Sequence, residues 1–254
     1  MIELDSATRD AGAIELRLTL LSRRRTRLNL SKAPASPGLN CASNRGIMAD
    51  QLYLSLWYPN FRLVALPAAL EKVMEQFAVV SGSSRVKAVT AYPISWNETP
   101  VYQRIYDDEH EPDIAASESR QAIAAAMETL HDDFAYEFEL IWELWAPEVG
   151  GGLEPRWSKE PRVVRIVGYG PEFDEGAYEQ NGHIRIDFGP DTPFLQEEVE
   201  LDEEAAAHVK QNVQMLVDFT NAVQQHGGIS SRLLWSESGE SLAQKLIARL
   251  QSVN

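Results

Sequence analysis

A single cysteine, Cys41, is all the thiol chemistry that 254 residues contain. It precedes every stretch with a regular apolar period, so no disulfide framework, no cysteine-based zinc site and no thiol catalysis are expected in the body of the chain. Long apolar runs are missing too. None approaches the roughly 20 residues that span a bilayer, and the expectation is a soluble, cytoplasmic protein without a membrane partner. Positive charge is scarce: the formal net charge is −15, and it is unevenly spread. Residues 1–47 hold eight Lys or Arg against four Asp or Glu, a balance of +4, whereas residues 48–254 hold 15 against 34, a balance of −19. A body so acidic repels nucleic-acid phosphates and anionic lipid heads, which leaves a basic protein, a cation or plain solubility as the uses of that charge. Catalytic signatures are also lacking. No Gly-Lys-Ser/Thr phosphate loop or Gly-x-Ser-x-Gly elbow occurs, and Gly168-Tyr169-Gly170 lacks the third glycine and the following helix of a dinucleotide site. No motif carries a family resemblance, and no cofactor is expected.

What is present begins with an N-terminal segment unlike the rest. Residues 1–47 run from an Arg-rich stretch (Arg23, Arg24, Arg25, Arg27) into Ser, Ala, Pro and Gly without a sustained apolar period, and read as a disordered basic extension. A signal peptide fits poorly because Arg17 interrupts Ala13 to Leu21. A transit peptide or a basic nucleic-acid-binding tail fits the charge better. The preferred expectation is translation from Met48, since Asn44 to Ile47 can be encoded by a purine-rich tract spaced like a bacterial ribosome-binding site.

From Met48 the pattern becomes regular. Phe134 to Trp145 is the most informative stretch: Tyr136, Phe138, Leu140, Trp142 and Leu144 alternate with Glu137, Glu139 and Glu143, a period that only a β-strand has. Before it, Leu52 to Tyr58 reads as a strand, Leu66 to Val80 as a helix, Val86 to Trp96 and Val101 to Tyr106 as strands, and Glu118 to Leu130 as a helix. Strand, helix, strand, strand, helix, strand is the order of a ferredoxin-like unit, expected over 48–147. Residues 148–155, with Gly150, Gly151 and Gly152 between prolines, read as a linker to a second α+β domain, 156–254. In it, Arg162 to Tyr169, His183 to Phe188 and Phe194 to Leu201 read as strands. A long helix capped by Asp202 and closed by Gly227-Gly228 follows, then a strand at Arg232 to Trp235 and a helix from Ser241 to Leu250. The class is therefore α+β, with the alternative that both halves share one continuous sheet.

Several clusters are candidate sites. Asp107, Asp108, Glu109, His110, Glu111 and Asp113 crowd oxygen ligands and an imidazole into one loop, as a hard divalent cation wants, although the calcium-loop glycine and the spaced terminal glutamate are missing. The alternative is a solvated acidic loop before a helix. His131-Asp132-Asp133, at a helix end, offers either a general base or an imidazole favoured by the helix dipole. His183 and Asp187, with Glu179 and Asn181 nearby, make a second metal candidate. His208 and His226 fall on the long helix. The acidic side of the central strand, Glu137, Glu139 and Glu143, either pairs with arginines of a neighbouring strand or stays open as a binding surface. Of the six tryptophans, Trp145 and Trp157 flank the linker and are interface candidates.

The leading expectation is a non-catalytic protein that binds another protein, a basic one, as an inhibitor, an immunity-type neutraliser or an assembly factor does. The alternatives are a metal-dependent hydrolase built on the Asp107–Asp113 loop or the His183 region, and a small-molecule sensor. A homo-oligomer is compatible with the same composition.

Overall fold

The computed structural model describes residues 49–106, 115–128, 130–148, 156–197 and 202–251, and residues 49–254 group into one compact unit. Seven strands form one antiparallel sheet: β1 (Gln51–Trp57), β2 (Val86–Pro93), β3 (Tyr102–Ile105), β4 (Phe134–Pro147), β5 (Trp157–Tyr169), β6 (Ile184–Pro190) and β7 (Ser231–Ser236). Six helices accompany them among the described residues: α1 (Leu66–Ser81), α2 (Ala115–Ala126), α3 (Ala177–Asn181), α4 (Thr192–Leu195), α5 (Glu203–His226) and α6 (Leu242–Gln251).

The strand order is β3-β2-β4-β5-β6-β1-β7. The ferredoxin-like arrangement expected of 48–147 is therefore not what forms. In that unit β1 would pair with strands of the first half, yet both of its edges are taken by strands of the second half, β6 and β7. Apolar alternation fixes which side of a strand faces the core but not which strands lie beside it, and this is where the expectation failed. The two halves share one sheet. β4 and β5 pair along their length, from Ala135 opposite Tyr169 to Pro147 opposite Trp157. The stretch expected to link two domains thus joins two neighbouring strands, and residues 149–155 of it lie outside the described residues.

β4 is the backbone of the core. Tyr136, Phe138, Leu140, Trp142 and Leu144 are at most 1% exposed, and at roughly 1.5 to 3 kcal/mol each they supply on the order of 10 kcal/mol of gross driving force. Against them pack Leu70, Val73 and Phe77 of α1, Ile123 of α2, and Leu216, Phe219 and Val223 of α5. Gly168 of β5 is part of this fit, because a Cβ there would meet Leu66 at 2.8 Å. Asp202 caps α5 through its carboxylate, which accepts from Ala205 N at 2.7 Å, as the sequence led one to expect.

Two polar devices tie the helices down. Asn212 of α5, fully buried, accepts from Trp145 N at 2.9 Å and donates to Trp145 O at 2.9 Å and Pro193 O at 2.8 Å. β2 pairs β4 only from Phe134 to Leu140, so Asn212 satisfies an edge that no strand among the described residues covers further along. Lys245 of α6 reaches Asp191 at 2.9 Å and Asp50 at 3.1 Å. Desolvation would raise the Asp50 pKa, but bonds from Ser238, Ser236 and Lys245 outweigh it and hold the carboxyl far below the usual range. One further expectation is corrected: Thr192–Leu195 is a short helix with Pro193 in its first turn, not the start of a strand.

Candidate functional site

The long helices all pack on one side of the sheet. Among the described residues, the opposite side, called here the outer face, is covered only at one corner, where Phe173 and Ala177 pack on Ala135, Val167 and Tyr169. Register fixes what this face displays. One row across all seven strands, from β3 to β7, reads Ile105, Ala88, Glu139, Arg165, Asp187, Tyr53, Trp235. The next reads Gln103, Thr90, Glu137, Val167, Arg185, Ser55, Leu233.

Charges alternate in the middle of these rows and aromatic rings surround them. Arg165 Nε donates to Glu139 at 3.0 Å, the cross-strand pairing weighed for this acidic side of β4. Asp187 accepts from the Gly189 backbone at 2.8 Å. Glu137 makes no hydrogen bond or ion pair with another described residue. Burial pushes its carboxyl pKa up, Arg165 pulls against this, and Glu139 adds to it. Glu143 lies exposed further along the strand.

Arg185 is the centre of the aromatic group. Its guanidinium carbon lies 5.2 Å from the ring centre of Tyr53, 5.5 Å from Tyr169 and 6.0 Å from Trp96. Tyr53 stacks on Trp235 at 4.6 Å, and the Trp235 indole donates to buried Ser55 at 3.0 Å. Burial first, then the nearby Asp187, pushes the Tyr53 hydroxyl pKa up to about 12. The Tyr169 hydroxyl is buried and has no hydrogen-bond partner among the described residues.

Trp96 reaches this face through a strained loop. Ile94 sits at φ +60°, fixed by donating to Asp133 O at 2.6 Å and accepting from Asp174 N at 2.8 Å. The turn swings Trp96 onto Tyr92 at 5.1 Å and Phe173 at 5.2 Å. Asp132 supports the same corner: its carbonyl accepts from Glu172 N at 2.8 Å and lies 2.2 Å from where a Cβ on Gly170 would be. The His131-Asp132-Asp133 turn thus works through its backbone, and the His131 ring lies tilted against that of Phe134 at 4.5 Å.

The remaining candidates are scattered. Asp107, Asp108 and His110, with the rest of their loop, lie outside the described residues. His183 is built into an aromatic cluster, stacked on Phe61 at 4.4 Å and beside Tyr178 at 4.4 Å, and its Nδ1 accepts from Tyr58 N at 3.0 Å. Burial depresses its pKa to about 4, so it is neutral at pH 7. Among the described residues no group of three His, Cys, Asp or Glu side chains is placed to hold a metal ion. The Trp145 and Trp157 rings lie 4.1 and 5.2 Å from that of His208 of α5, and the Trp145 indole donates to Gln211 at 2.8 Å. Both tryptophans therefore help to seat α5 on the β4–β5 hairpin. His226 is exposed in the last turn of α5.

Tyr53, Tyr92, Trp96, Arg165, Tyr169 and Trp235 were not singled out from the sequence as site residues. The period-2 pattern does put Tyr53 on the polar side of its strand, whereas Trp235 falls on the same side as Leu233. Only the strand order brings them beside Arg185.

Two open clefts, of about 240 Å3 between Tyr58, Phe61 and α1 and about 300 Å3 between Tyr102, Ala126 and His131, lie away from the outer face. No helix among the described residues is long and apolar enough to cross a membrane. Comparison of the chain with family models, with curated proteins and with solved structures gives no match in any of the three.

Proposed function

We propose that the protein acts without catalysis, by binding a second protein whose contact surface is basic, as an inhibitor, an immunity-type neutraliser or an assembly factor does. The outer face of the sheet makes the contact. The observation that carries this reading is a seven-stranded face left open by the long helices, with carboxylates at its middle and Tyr53, Tyr92, Trp96 and Trp235 around them. Strands about 4.8 Å apart make it roughly 29 Å wide. Its two full rows of side chains give on the order of 400 Å2, about half of the ~800 Å2 that each partner of a stable complex contributes. Aromatic side chains are favoured anchors in such contacts. The balance of −19 over residues 48–254 steers a basic partner toward the protein and repels nucleic acid. The two clefts reach at most the lower end of small-molecule pockets, about 300 to 1,000 Å3, and this keeps a sensor role behind the binding reading. The same reading places the protein in the cytoplasm.

The test is capture from a lysate of the native host at low salt, with the full chain as bait. One basic protein should be retained in near-equal amount, released by raising salt and indifferent to a chelator. Retention that depends on a divalent cation, or no specific retention, contradicts the reading.

A further inference from the structure

Among the described residues, the centre of the outer face is one cation short. Its two central rows hold three carboxylates, Glu137, Glu139 and Asp187, against two guanidinium groups, Arg165 and Arg185. Four of these five charges are accounted for: Arg165 is bonded to Glu139 at 3.0 Å, Asp187 to the Gly189 backbone at 2.8 Å, and Arg185 lies over three rings. Glu137 is the remainder. It is partly buried, and a carboxylate withdrawn from water without a partner is costly to keep ionised. Next to it, the hydroxyl of Tyr169, a residue 0% exposed, has no partner among the described residues, and it lies near enough for the charges of Glu137 and Arg185 to act on it.

Resting on the reading that this face binds a basic protein, we infer that Glu137 is the anchor for one arginine side chain of that partner, walled by Tyr92 and Trp96. The face already holds a guanidinium by stacking, because Arg185 sits over Tyr53, Tyr169 and Trp96 at 5.2 to 6.0 Å. Tyr92 occupies the same face two residues from Thr90, the strand partner of Glu137, and meets Trp96 edge to face at 5.1 Å. A planar fork that stacks on rings, is less strongly hydrated than an ammonium and pairs with a carboxylate suits this setting better than lysine. One such group neutralises the centre of the face.

The probe is acetyl-(Gly-Arg)4-amide added to the full chain in about 0.15 M salt, where diffuse attraction is screened beyond about 8 Å, with amide chemical shifts followed by NMR. Shifts should concentrate in β2, β4, β5 and β6. Glu137→Gln should weaken binding by about tenfold, as expected for loss of one charge-assisted bond, while Glu143→Gln stays within twofold. The matching (Gly-Lys)4 peptide should bind several-fold more loosely. Equal affinity of wild type and Glu137→Gln, or of the two peptides, overturns the inference. If the Arg peptide still binds the outer face in the first case, a basic partner for that face stands without Glu137; shifts spread over the helical side remove both.

Discussion

Ile94 holds a backbone conformation that β-branched residues rarely take, with φ at +60° and the side chain 59% exposed. Ser95 N donates to Pro93 O at 2.6 Å across it, the bond of a γ-turn whose positive-φ form is strained by about 1 to 3 kcal/mol, and a glycine costs up to about 1 kcal/mol of chain entropy instead. Ile94→Gly should therefore be neutral to about 2 kcal/mol stabilising and raise the melting temperature by about 2 to 4 °C per kcal/mol gained. A fall in melting temperature for this variant would show that the side chain, not the turn, matters there. Glu137 carries a second prediction at this scale. Burial raises its folded pKa above the ordinary value of 4.5, so the folded state binds that proton more tightly than the unfolded chain. The ionised group then costs stability, and this cost grows as pH rises from about 4.5 through the folded value. Glu137→Gln should be more stable than wild type at pH 7, with the difference vanishing below about pH 4.5, as measured by denaturant unfolding at each pH. A residue that stabilises the fold when neutralised is kept for something other than the fold. The acidic side of β4 was plain in the sequence. That Glu139 is paired and Glu137 is not depends on Arg165 standing opposite one and Val167 opposite the other, which no single strand records.

At the scale of elements, α5 is held to the sheet by Asn212 as much as by its apolar stripe. Asn212→Ala leaves the Trp145 N–H and the Trp145 and Pro193 carbonyls without this partner in a largely buried contact, and should cost about 2 to 3 kcal/mol. Asn212→Asp is nearly isosteric but sets a carboxylate against two carbonyls, and should be at least as damaging. Chemical denaturation of both variants measures this; an Ala variant within about 0.5 kcal/mol of wild type would mean that the edge is satisfied in another way. The elements themselves were largely legible. The cap at Asp202, the stripe of α5 and the alternation of β4 are local signals, and each led to the right element. Asn212, a polar residue among the stripe positions, gave no hint of the strand edge that it completes. Phe194 and Leu195, the start of the strand expected over Phe194 to Leu201, misled because a short apolar run has no period to separate strand from helix.

For the whole molecule, the decisive feature is β1 between β6 and β7. The first strand of the sheet cannot find its neighbours until the second half has been made, so the halves are not independent domains in the folding sense. A fragment of residues 49–148, which contains β1 to β4, α1 and α2, should show no cooperative thermal transition by circular dichroism, while the full chain melts in one step. A cooperative transition in the fragment would contradict this. Strand order lies beyond what the sequence can say, because the neighbours of β1 are set by pairing across more than 100 residues. The candidate site shares that fate: Tyr53, Tyr169, Arg185 and Trp235 meet only because β1 returns to lie between β6 and β7.

The most direct test of the outer face as the working surface compares two charge changes of equal size. Gln103→Lys with Leu233→Lys puts two cations at the ends of one outer row, whereas Val64→Lys with Val79→Lys puts two on the helical side, at residues 78% and 77% exposed. Affinity for the captured basic partner, measured by titration calorimetry, should fall at least about tenfold for the first pair, as like charges meet across the contact, and change by less than about twofold for the second. Equal effects of the two pairs, or a larger loss from the helical pair, would contradict the account.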